Sequence, residues 1–170
     1  MSVTRDIVHS YRDPGTVMRR HLACGPREDR ALMFLMLSCA LLFVAQWPRL
    51  ARKAAIDDTI ALDALLAGAL FGWVFVAPLF FYGLAALSRL VARLAGGQGT
   101  FGSARMALFW TLLTIAPLAL LRGLVSGLVG PGPVDMVAGL IVLGFFAYLW
   151  FANLRAAERP ADVETAAQGA

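Results

Sequence analysis

The chain has 170 residues, 59% of them apolar and only 15% charged, with a formal charge of +4 and a mean hydropathy of +0.71. A soluble domain carries about 25% charged residues, and so thin a polar shell cannot cover several helices that are apolar on every face. The basic excess forms no Lys/Arg stripe beside stacking aromatics, which excludes a nucleic-acid footprint and leaves membrane-orienting charge.

Residues 1–30 lack the apolar core of a signal peptide, and Asp6, Asp13, Glu28 and Asp29 argue against a transit peptide. They read as an amphipathic leader of two short helices. Val3, Ile7, Val8 and Tyr11 share one face of the first. Asp13 caps the second, Pro14 opens it, Val17, Met18 and Leu22 form its apolar stripe, and Gly25-Pro26 ends it. Such segments lie in the membrane interface or pack on the cytoplasmic end of a bundle, the alternative being a solvated basic leader. His21 and Cys24 are too few ligands for a zinc site, and Cys24 and Cys39 read as free thiols.

Residues 31–47 form the first span, short for a bilayer core of about 30 Å, with Trp47 as interfacial anchor. In the loop that follows, Asp57 and Asp58 have no third ligand and no Gly-turned loop, so they read as caps of the next helix and not as an ion site. The second span, residues 64–88, holds 25 residues without a charge, about 37 Å of helix. Within it Gly68 and Gly72 form a small-xxx-small pair that lets another helix approach closely. Pro78 should kink the span by removing one backbone hydrogen bond.

Gly96, Gly97 and Gly99 form a Gly-rich turn between the second and third spans. No strand precedes it and no Lys-Ser/Thr closes it, so it is read as a tight reversal and not a phosphate loop. The third span runs from residue 106 to about 121, with Pro117 near its end. Arg122 follows. An arginine beside so much apolar sequence is a functional candidate by default; the simpler reading is that it snorkels, with residues 123–130 as a frayed, interfacial or re-entrant extension. The fourth span, residues 136–154, ends in Trp150 and Phe151, and residues 156–170 read as a disordered polar tail.

Four spans put both termini on one side. Placing them inside gives eleven Lys and Arg inside against four outside, which predicts cytoplasmic termini and an inner (plasma) membrane location. Leu90-Val-Ala-Arg-Leu-Ala-Gly96-Gly97-Gln98-Gly99-Thr100-Phe101, followed by Leu113-Thr114-Ile115-Ala116-Pro117, resembles the Yip1 domain of small multi-spanning membrane proteins. The resemblance covers roughly residues 30–155 and is greatest to the short bacterial members, which as a group have no assigned activity. Eukaryotic relatives are associated with Rab GTPases and vesicle traffic. The resemblance is carried over for fold and membrane location alone.

The expectation is therefore an all-α, polytopic transmembrane helical bundle of about four spans, with a leader over residues 1–30, a Yip1-like domain over residues 31–155 and a tail beyond. Its expected role is to bind or organise membrane components without catalysis. Its partners would be the lipid bilayer and a membrane protein or second copy, with no nucleic acid, cofactor or metal. The rival reading is a small transporter or channel subunit using the kinked spans and Arg122. A lipid-modifying enzyme has the least support, because no His or carboxylate lies within the spans.

Overall fold

The computed structural model describes residues 3–23, 28–57 and 60–158. Expectations for Cys24, Gly25-Pro26, Asp58 and residues 159–170 lie outside the described residues. The elements are α1 (Val3–Ser10), α2 (Pro14–Ala23), α3 (Glu28–Ile56), α4 (Leu62–Phe71), a π-helical turn (Gly72–Val76), α5 (Ala77–Leu94), α6 (Phe101–Val129) and α7 (Pro133–Glu158). Among the described residues four helical stretches are long and apolar enough to cross a bilayer: α3, α4 through α5, α6 and α7. The all-α, four-span architecture follows from the long uncharged blocks of the sequence.

The spans are not equivalent. α6 is the central helix, packed against α3, α7 and α5. Every residue from Ser103 to Ala116 is buried except Arg105. Its start is fixed by a capping box: Thr100 Oγ1 accepts from Ser103 N at 3.1 Å, and Ser103 Oγ accepts from Thr100 N at 2.9 Å. Its interior polar groups are satisfied locally. Thr111 and Thr114 donate to carbonyls one turn back, and Asn153 of α7 donates to Thr111 Oγ1 at 2.9 Å. By contrast, none of the most apolar stretch of α4 through α5 is buried.

Several boundaries differ from the sequence reading. α3 continues through Pro48 to Ile56, nine residues past Trp47. Arg52 holds this extension to α6 by donating to the carbonyls of Gly127 and Leu128, at 3.2 and 2.9 Å. Ahead of Pro78 the helix opens into a π-turn, and the Ala77 N–H reaches back to the Gly72 carbonyl. Such a turn relieves the clash between a proline ring and the carbonyl four residues earlier. Residues 123–129 are neither frayed nor re-entrant: α6 runs unbroken past Pro117 and Arg122 to Val129, and Gly130 ends it at φ 84°. α7 takes in Ala156, Ala157 and Glu158, three residues the sequence reading gave to the tail.

The leader packs on the bundle. Val17 and Met18 are fully buried in the same core as Phe34, Leu35 and Trp110. Trp110 Nε1 donates to Ser10 Oγ at 3.0 Å, and the Tyr11 hydroxyl donates to the Thr114 carbonyl at 2.8 Å. Asp13 Oδ1 accepts from Thr16 N at 3.1 Å, so Asp13 caps α2 as its sequence suggests.

His21 lies 4.3 Å from the Trp110 ring and 5.6 Å from that of Phe34, centroid to centroid. Its Nε2 is buried without a partner. Burial therefore lowers its pKa below the usual 6.5, a shift that Asp6 opposes and Arg30 reinforces. A base with a lowered folded-state pKa contributes fully while neutral in both states. That contribution is lost as pH falls below about 6.5, because the released leader takes up a proton first. Hydrogen exchange of α1 and α2 should accelerate as pH drops from about 7 to 5 after correction for intrinsic rates, and His21→Phe should flatten that response.

Candidate functional site

Two tight seams set the geometry on the side of the bundle away from the leader. Along α3 and α6 the backbones nearly touch: a Cβ on Gly123 would lie 1.8 Å from the Ala45 carbonyl oxygen, and one on Gly127 would lie 2.4 Å from Pro48 Cβ. The small-xxx-small pair that packs within the chain is thus Gly123/Gly127. The predicted pair faces outward, with nothing within 4 Å of a Cβ on either Gly68 or Gly72. The same spacing in two helices gave no local sign of which one meets a neighbour.

At the end of the α6–α7 seam, Arg122 Nη2 lies 3.3 Å from Asp135 Oδ1 and within 3.5 Å of Oδ2. Gly139 makes room for this guanidinium, since a Cβ there would stand 3.0 Å from Arg122 Nη2. Asp135 is the partner that sequence reasoning missed. It lies thirteen residues on, across the Gly130-Pro131-Gly132-Pro133 turn, in the first turn of α7, where an acidic residue also suits the positive helix end.

Beneath Arg122 lies a cavity of about 420 Å³. α3 contributes Gln46 and Arg49, and α6 contributes Arg122 and Ser126. Trp73 of the π-turn, Phe81 of α5 and Phe146 of α7 close its apolar sides. Among the described residues Arg49 and Arg122 are the only ionisable side chains lining it. The cavity reaches Leu112 and stops, because Phe109, Trp110 and Leu113 are packed solid. Among the described residues its lining offers two guanidiniums, an amide and a hydroxyl above apolar walls. Among the described residues no three His, Cys, Asp or Glu side chains come together as a metal site.

The Gly-rich turn forms the opposite end of the molecule. Gly96 adopts φ 85°, and Gly97 and Gly99 lie against the end of α7, where a Cβ on either would meet Glu158 or the Ala157 carbonyl closer than 3.0 Å. Glu158 Oε2 accepts from Gly99 N at 2.8 Å and from Arg89 Nη1 at 3.1 Å, and Arg89 also donates to the Gly97 carbonyl. Both side chains of this ion pair are 11% accessible. The turn is therefore a clasp that joins α5 and α6 to α7.

The Yip1 domain family profile matches residues 8–167. This chain belongs to the Yip1 domain family. The match takes in all four spans and most of the leader, a longer stretch than the residues 30–155 over which the motif resemblance runs. Neither a curated protein nor a solved structure matches the chain. Within the Yip1 domain, the Gly96–Gly99 clasp and the Arg122 cavity lie at opposite ends of α6. Pro117 lies between them on an exposed face of that helix.

Proposed function

We propose that this Yip1-domain membrane protein is non-enzymatic and organises other membrane components, docking a second membrane-embedded helix along α4 and the π-turn. The observation that carries this reading is the least covered span: among the described residues none of the most apolar stretch of α4 through α5 is buried. Leu70, Phe71, Phe75 and Val76 are 47 to 64% exposed while α6 is wrapped by three helices. Gly68 and Gly72 on the same span offer the small surface that lets two helix backbones approach inside a lipid phase. The excess of Lys and Arg on the leader and turn side supports cytoplasmic termini in a plasma-type membrane.

Photo-cross-linking tests this in native membranes. A photoreactive phenylalanine at Phe71 or Phe75 is expected to capture a specific protein, another copy included, and Gly68→Leu is expected to weaken that capture. Adducts with lipid alone at both positions would overturn the reading. The transporter alternative has the Arg122 cavity in its favour. That cavity is blind, however, and Arg122 is held by Asp135, an arrangement suited to holding a ligand more than to passing one.

A further inference from the structure

The cavity beneath Arg122 combines three features that select one kind of occupant. Its walls are apolar, with Leu42, Val142, Leu143 and Phe146 beside the aromatic pair Trp73 and Phe81, and Leu143 is exposed on the outer face of α7. Its ionisable lining groups are both cations. Arg122 has Asp135 on one side only: its side chain stays 34% accessible, and its Nε is buried without a partner. Arg49 is exposed at the rim, two residues after Trp47 on a helix that continues about two further turns to Ile56.

Size rejects the other occupant of membrane grooves. At 10–12 Å across and 5.4 Å per turn, about one turn of a helix would fill the space, whereas a flexible acyl chain can enter it along its length. We propose that this cavity is a binding site for an anionic phospholipid of the leaflet on the α3–α4 side. The phosphate is bridged by Arg49 and Arg122, and one acyl chain lies between Trp73, Phe81 and Phe146. Guanidinium forks match phosphate oxygens in pairs, and charge-assisted bonds of this kind strengthen where water is scarce. Asp135 orients the Arg122 fork. The docking reading rests on Leu70, Phe71, Phe75 and Val76, none of which lines this cavity, so the site stands if that reading fails.

Trp73 supplies a reporter inside the site. The full chain is reconstituted in phosphatidylcholine vesicles containing an equal mole fraction of either acyl-brominated phosphatidylglycerol or acyl-brominated phosphatidylcholine. The signal of Trp73 is isolated by subtracting the Trp73→Phe protein. Brominated phosphatidylglycerol is expected to quench Trp73 with an apparent association at least about threefold stronger than its zwitterionic counterpart. Arg49→Gln, which alters an exposed residue and leaves helix packing intact, should abolish the preference, as should Arg122→Gln combined with Asp135→Asn. Ala119→Phe, which fills the cavity, should lower quenching by both lipids. Equal quenching of the parent by the two lipids overturns the proposal, as does a preference that survives Arg49→Gln or quenching that ignores Ala119→Phe.

Discussion

Gly123→Leu is expected to be the most damaging single change in the membrane-spanning part of this protein. The Cβ it adds would fall 1.8 Å from the Ala45 carbonyl oxygen, and that atom belongs to helix backbone and cannot rotate away. α6 would have to lift from α3, opening the longest seam in the bundle and withdrawing Gly127 from Pro48 as well. Overpacking a close-packed interior costs about 1–3 kcal/mol where side chains can adjust. Here the obstacle is backbone, so a loss of about 3 kcal/mol or more is expected, visible as a much lower midpoint of thermal unfolding in mild detergent. The control is Gly68→Leu, with open space around the new side chain, which should stay within about 0.5 kcal/mol of the parent. Equal effects of the two substitutions would show that α3 and α6 do not pack as described.

Glu158→Ala should be nearly as severe. It leaves the Arg89 guanidinium, whose side chain is only 11% accessible, without its carboxylate and removes the acceptor of the Gly99 N–H. Removing one member of a buried pair costs about 3–5 kcal/mol, because the remaining charge stays in a medium that cannot solvate it. The residual accessibility of both groups places the expectation near the lower end, at about 3 kcal/mol. The sign of the double change distinguishes a stranded charge from lost packing. Arg89→Leu with Glu158→Leu should unfold closer to the parent than Glu158→Ala does, since apolar groups of similar size replace buried pairs with little loss. A double variant less stable than the single would show that the pair itself, and not its rupture, sets the stability of the clasp.

These two sites show why legibility in the sequence was uneven. Spans were readable because a bilayer forces every residue over about 20 positions to be apolar, a constraint written in each residue independently. Asp13 and Pro14 were readable as a helix start for the same reason, since a cap involves neighbours in the chain. The limits of the spans were not. Pro48 and Arg122 look like stops to a local reading, but α3 passes Pro48 because Gly127 and Arg52 fasten its far end to α6. α6 passes Arg122 because Asp135 meets its charge. Glu158 reads as part of a polar tail that begins at Ala156, although it closes the Gly-rich turn some sixty residues earlier in the chain.

By itself the sequence determined that this is a four-span helical membrane protein with an amphipathic leader and a Gly-rich reversal. Burial of backbone in lipid and the periodicity of short helices act residue by residue along the chain. Only the tertiary structure decided which helix lies at the centre, which of two glycine pairs is a seam and which a free surface, and that two arginines share one apolar cavity. Those outcomes depend on which faces meet across the bundle, and a helix carries the same residues whether its face meets a neighbour or lipid.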